Sequence, residues 1–95
     1  MVLRAYLLVS VRDECKKESF PQAVKEIEAL DEVDFADPVV GDADLVVMVE
    51  TDNIEQTAEK VAAMPCTENV SVLRVCSALE RHRTLRQELL QKLAD

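Results

Sequence analysis

Apolar and polar positions alternate along this chain in four short blocks separated by two stretches of helical spacing. The clearest block is Leu45-Val46-Val47-Met48-Val49, an almost continuous β-branched run. Before it lies the polar stretch Gly41-Asp42-Ala43-Asp44, and before that a segment carrying Val33, Phe35 and Val39. Gly and Asp between two such runs predict a tight-turned β-hairpin. Its strands are expected over residues 33–39 (β2) and 43–51 (β3). Pro38 cannot donate to a sheet ladder, so β2 is expected at a sheet edge or bulged there. Leu3 to Val11 is a further apolar segment, with Arg4 and Ser10 as polar positions, and is assigned to β1. Residues 69–76, with Val70, Val72, Leu73 and Val75, are expected to form β4.

Between these blocks the period changes. Ala23, Val24, Ile27 and Leu30 recur at helical spacing and define α1, ending near Leu30. Ser19 followed by Gln22 has the form of a capping box, and Pro21 suits the first turn because its missing N–H would have no partner there. Ile54, Ala58, Val61 and Ala62 define α2, with Asp52 as the expected cap, Glu55 three residues on, and Pro65 beyond the end. A third helix is expected after residue 77. Ser77 and Glu80 repeat the capping pattern, and Leu79, Leu85, Leu89, Leu90 and Leu93 supply an apolar stripe.

The order is therefore β-α-β-β-α-β. Right-handed crossovers place both helices on one face of a four-stranded antiparallel sheet. The expected fold is an α+β, ferredoxin-like βαββαβ sandwich of the dimeric α+β barrel type over residues 1–76. An extra C-terminal helix, residues 77–95, would pack on the domain or on a neighbouring subunit. Helices cover only one sheet face, so the other would leave aliphatic side chains wet unless a second copy covered it. The near-continuous run in β3 points the same way, to burial on both faces and hence to a homodimer or higher homo-oligomer.

Composition narrows the partners. The chain has 95 residues, one domain's worth, with 48% apolar but only 3% aromatic residues, so its core must be aliphatic. The net charge is −8, which opposes nucleic-acid phosphates and anionic membrane surfaces. No apolar stretch reaches the ~18–20 residues of a membrane span, and nothing resembles a secretion signal. Three cysteines, Cys15, Cys66 and Cys76, form no metal-binding spacing with the single His82. The expectation is a cytoplasmic protein with reduced thiols. Cys15 is taken as incidental and Cys66 as an inert thiol after α2.

The candidate chemistry gathers at the hairpin. Gly41, the chain's only glycine, suits a positive φ and would let a ligand approach backbone N–H groups. Asp42 and Asp44 are ordinary turn residues that can also accept from a ligand. No phosphate-binding glycine loop and no nucleophile elbow occur, so no catalytic residue, cofactor or metal is assigned.

These segments resemble a known family. Arg4-Ala5-Tyr6-Leu7-Leu8-Val9 is similar to the first strand of the effector-binding (RAM) domain of Lrp/AsnC transcription regulators. Val39-Val40-Gly41-Asp42-Ala43-Asp44-Leu45-Val46-Val47-Met48-Val49 resembles that domain's G-x-x-D turn and following strand, Asp52-Asn53-Ile54 its link into the second helix, and Pro65 to Val70 its entry into the last strand. The resemblance spans about residues 2–76. Ala43 stands where the family often has an aromatic, and Leu73-Arg74-Val75 where it often has T-x-T. The family's helix-turn-helix has no counterpart in this sequence. The resemblance implies a stand-alone module that binds a small effector, an amino acid by class, and oligomerises, with Gly41, Asp42 and Asp44 as ligand contacts. It also implies a DNA-binding family member as a hetero-partner. Two rival readings stand beside it. One is a small enzyme of the dimeric α+β barrel type, which needs a pocket with positioned His, Tyr or Arg; the sequence offers Tyr6, Arg4 and Arg74 but no pair of them that makes a site. The other is a structural interaction module acting through the C-terminal helix.

Overall fold

The computed structural model describes residues 3–75 and residue 91. The expected helix over 77–93, together with Cys76 and His82, lies outside the described residues. Within them the order is β1 (Leu3–Val11), α1 (Phe20–Glu28), β2 (Val33–Pro38), β3 (Leu45–Thr51), α2 (Ile54–Ala62) and β4 (Thr67–Arg74). The four strands form one antiparallel sheet in the order β2-β3-β1-β4. This is the expected α+β, ferredoxin-like arrangement. Pro38 closes an edge strand, where its missing donor costs the ladder nothing.

Period-2 alternation sorts β1 cleanly. Ala5, Leu7, Val9 and Val11 are buried beneath the helices, whereas Arg4, Tyr6, Leu8 and Ser10 lie on the other face. β3 repeats the pattern with Leu45, Val47 and Val49 in the core. The helices contribute Ala23 and Ile27 from α1 and Ile54, Thr57 and Val61 from α2. Thr57 is buried without penalty because its hydroxyl donates to the Asn53 carbonyl at 3.2 Å.

The face opposite α1 and α2 is also apolar among the described residues. Strand register aligns Phe35, Met48, Tyr6 and Leu73 in one row across all four strands, since Phe35 pairs with Met48, Met48 with Tyr6 and Tyr6 with Leu73. Val46 and Leu8 form a shorter second row. Met48 is buried by its neighbours, while Leu73 is 52% exposed.

Several local expectations are corrected. The hairpin is not closed by a tight turn. β2 ends at Pro38 and β3 starts at Leu45, so Val39 to Asp44 form a six-residue loop, closed by the Val39 N–H donating to the Asp44 carbonyl at 2.9 Å. Ser19 makes no side-chain cap to α1, because its own backbone is already helical (φ −84°, ψ −8°) and a cap needs an extended residue there. Asn53, not Asp52, caps α2. It is extended, and its side chain accepts from the Gln56 N–H at 3.0 Å. The Thr51 hydroxyl holds the Asn53 N–H at 3.1 Å and fixes that geometry. β4 starts two residues earlier than expected, at Thr67, and ends at Arg74.

The cysteine expectation is overturned. Cys15 and Cys66 are joined by a disulfide across 51 residues, with Cα atoms 5.7 Å apart. Neither is an isolated thiol. The pairing follows from the sheet. β1 and β4 are antiparallel neighbours, with Val11 opposite Thr67, so the segment leaving β1 and the one entering β4 meet at the same sheet end. There Arg12 donates its backbone N–H to the Cys66 carbonyl at 2.9 Å and its Nε–H to the Pro65 carbonyl at 3.2 Å.

Candidate functional site

Three connections converge at this end of the sheet: residues 12–19 after β1, the 39–44 loop, and residues 63–66 before β4. Asp44 ties the first two together. Its backbone N–H donates to the Val9 carbonyl at 2.9 Å, and its Oδ2 accepts from the Val11 N–H at 2.8 Å. The physical reason is a shortage of ladder partners. On this side β3 begins only at Leu45, opposite Val9, so the last amide of β1 has no strand beside it. The Asp44 carboxylate supplies the missing acceptor, as Asp side chains at turns commonly do.

Lys16 completes the arrangement. Its Nζ lies 3.1 Å from Asp13 Oδ1 and 3.9 Å from Asp44 Oδ2. The hydrogen bond to Asp13 raises the Lys16 pKa above its ordinary value, and the negative charge of Asp44 adds to that effect. Lys16 stands just after the 3-10 turn Asp13–Cys15, and so directly after the disulfide.

The three residues singled out from the sequence occupy one loop but differ in character. Gly41 has φ +145°, a backbone region that side chains rarely adopt, and a Cβ there would meet nothing within 4 Å. The glycine answers a conformational need, not a crowded one. Asp42 is exposed at the loop surface. Asp44 is partly covered, its side chain 27% exposed, with Oδ2 already engaged. Val40 projects fully into solvent. Among the described residues, the loop amides of Gly41 and Asp42 make no backbone hydrogen bond, so they are available to an anionic group.

Lys16 and the Cys15–Cys66 pair are the participants that the sequence reading missed. Their signal lies in the β1–β4 register, which brings Cys15 and Cys66 to the same sheet end. The residues required by the enzyme reading are not brought together. Tyr6 and Arg4 share the open sheet face, where Arg4 pairs with Glu50 at 2.9 Å. Arg74 lies opposite Ala5, on the helix side, and is ion-paired with Glu55 of α2. Among the described residues, no group of three or more His, Cys, Asp or Glu is placed to hold a metal ion, and no helix is long and apolar enough to cross a membrane.

No protein-family model matches the sequence, and no curated protein matches it. Solved structures do. The crystal structure of FFRP-DM1, an FFRP and thus of the Lrp/AsnC group, is 26% identical with a TM-score of 0.65, over 78% of this chain and 99% of its own. The protein TTHA0845 from Thermus thermophilus is 20% identical with a TM-score of 0.66, over 80% of this chain and 95% of its own. The transcriptional regulator NMB0573 from Neisseria meningitidis, solved as its L-Met complex, is 14% identical with a TM-score of 0.63. It matches over 81% of this chain and 51% of its own length.

Proposed function

From a chain with the RAM-like fold of the Lrp/AsnC regulators, we propose that this protein is a regulatory module that binds a small effector and assembles through its bare sheet face. It acts in the cytoplasm. A DNA-binding regulator of the same fold is its natural hetero-partner. The observation that carries the assembly reading is the cross-sheet row Phe35, Met48, Tyr6 and Leu73, which among the described residues has no helix layer over it. A second copy would cover it face to face, as sheets pack in pairs. The net charge of −8 separates this module from direct contact with nucleic acid.

The effector is read as an amino acid. The 39–44 loop offers both halves of the recognition. The Asp44 carboxylate can accept from an α-ammonium, and the amides near Gly41 and Asp42 can meet an α-carboxylate. The L-Met held by the Neisseria regulator supports that class of ligand. The chain is read as a binding protein and not an enzyme, because Arg4 and Arg74 are each committed to a carboxylate on opposite sheet faces.

Native mass spectrometry of the purified protein tests both parts together. A dimer or larger species, with a retained amino acid or one regained on adding the twenty common amino acids, is expected. Binding should be lost in Asp44→Asn, which keeps an acceptor for Val11 but removes the charge. A monomer with no affinity for any amino acid refutes the proposal.

A further inference from the structure

We propose that the Cys15–Cys66 disulfide is a reversible redox latch that sets whether Lys16 sits on Asp44. This deepens the reading of Asp44 as an effector contact and rests on it for its regulatory meaning.

The placement argues for a latch rather than a buried staple. Both cysteines are only half-buried; Cys15 ends the short 3-10 turn after β1 and Cys66 lies in the connection that enters β4, so neither sits in a strand or α-helix. The two segments are also joined without sulfur, by the Arg12 N–H to the Cys66 carbonyl and the Arg12 side chain to the Pro65 carbonyl. Breaking the disulfide therefore leaves Cys15 tethered through Arg12 within reach of Cys66 but no longer fixed against it, so the bond can form again.

The chemistry balances with a low-molecular-weight thiol couple of the glutathione class. In closing, the Cys15 thiolate attacks one sulfur of the oxidised couple and expels a thiolate. The Cys66 thiolate then attacks the mixed disulfide at Cys15 and expels the second. The two cysteine protons go to the two leaving thiolates. The protein dithiol is oxidised by two electrons and the small disulfide is reduced to two thiols. Opening is the reverse.

The consequence falls on Lys16. The turn Asp13–Cys15 is held by few hydrogen bonds of its own, Cys15 N–H to the Arg12 carbonyl at 2.9 Å and Lys16 N–H to the Asp13 carbonyl at 3.2 Å. With Cys15 anchored, this turn holds Lys16 near Asp44. Released, it frays, and the carboxylate loses its cation. A ligand ammonium would compete with Lys16 for that carboxylate in the oxidised form and not in the reduced form. The reduced protein is the one open to an amine-bearing effector.

The test needs no effector, so it is independent of the ligand assignment. Native-state ¹⁵N relaxation is measured on the whole protein, equilibrated in oxidised or in reduced glutathione. Intact mass and peptide mapping identify the linked cysteines. The expected result is a Cys15–Cys66 link in the oxidised sample. On reduction, order parameters at residues 13–17 should fall from about 0.85 to below about 0.6. The Asp44 carboxylate carbon should shift, while the resonances of Val47 and Val49 stay in place. Returning the sample to oxidised glutathione should restore the first spectrum. Cys15→Ser should leave residues 13–17 mobile in either buffer, with Cys66 carrying at most a glutathione adduct in the oxidised one. Free Cys15 and Cys66 in oxidised glutathione, unchanged order parameters at 13–17, or changes spread through the sheet would each overturn the latch.

Discussion

Removing the cross-link by Cys15→Ser together with Cys66→Ser should cost far more stability than two half-buried side chains would. A disulfide acts mainly on the unfolded chain, which it prevents from exploring open loops. For a separation of 51 residues, the chain-entropy relation gives about 4 kcal/mol. A domain of this size has roughly 5–14 kcal/mol in total, so the loss is a large fraction. With an m-value of about 1–2 kcal/mol per molar, the urea midpoint should fall by roughly 2–4 M. The assay is urea unfolding followed by far-UV circular dichroism, for the wild type with and without a non-thiol reductant and for the double variant. Reduced wild type and double variant should share one midpoint. Because the Arg12 hydrogen bonds to Pro65 and Cys66 survive, the native spectrum should be preserved. An unchanged midpoint would refute the reasoning, since it would mean that Cys15 and Cys66 are not joined in solution or that the unfolded chain is already compact.

Four further outcomes are expected. Leu73→Glu places a charge on the exposed end of the cross-sheet row; only about half of each Leu73 is left to bury, so losing it from two symmetric copies removes about 1.5–3 kcal/mol, and sedimentation should show the proposed dimer weakened by one to two orders of magnitude with the fold intact. Gly41→Ala forces a side chain into φ +145° with free space around it, so thermal unfolding should report a backbone cost of about 1–3 kcal/mol. Asp44→Ala leaves the Val11 N–H without its acceptor and should cost about 1–3 kcal/mol in urea, with Asp44→Asn recovering most of it. The Lys16 amine, raised above 10.5 by Asp13 and Asp44, favours the folded state fully below that value; this contribution is lost as pH rises through the folded-state pKa, and Asp13→Asn should bring the ¹³Cε titration of Lys16 back down.

The architecture was legible because the period of the sequence changes where the elements change. Val47, Val49, Leu7 and Val9 alternate with outward positions, and Ala23 and Ile27 recur at helical spacing, so strand and helix types were fixed by local pattern. Element ends were less legible because they depend on single side chains choosing between partners. Asp52 and Asn53 are both good caps, and the choice falls to Asn53 because Thr51 holds its amide. The hairpin loop was read too short because Gly41-Asp42 has the composition of a two-residue turn. Val39 and Val40 look like strand residues, yet both are exposed. The Cys15–Cys66 pair and the Lys16–Asp44 contact are long-range facts, visible only once β1 and β4 are laid side by side in register.

One strand links the two proposed activities. β1 pairs with both β3 and β4, so its inward residues Leu7 and Val9 anchor the core while Tyr6 and Leu8 form the middle of the open face. Its end does a third job. Beyond Val9 the β3 ladder stops, and the Val11 amide is held by Asp44 instead of a strand. Any ligand that draws on Asp44 must therefore share or displace a bond that fixes the end of β1. That same strand lies across the face where a second copy would pack. In the proposed function, effector binding and assembly would then be coupled through a rigid element common to both, with no separate relay required. The coupling has a definite direction: whatever loosens Asp44 from Val11 loosens the end of the strand that carries Leu8, and a partner packed on that face resists the loosening. Binding that displaces Val11 and dimerisation should accordingly oppose each other.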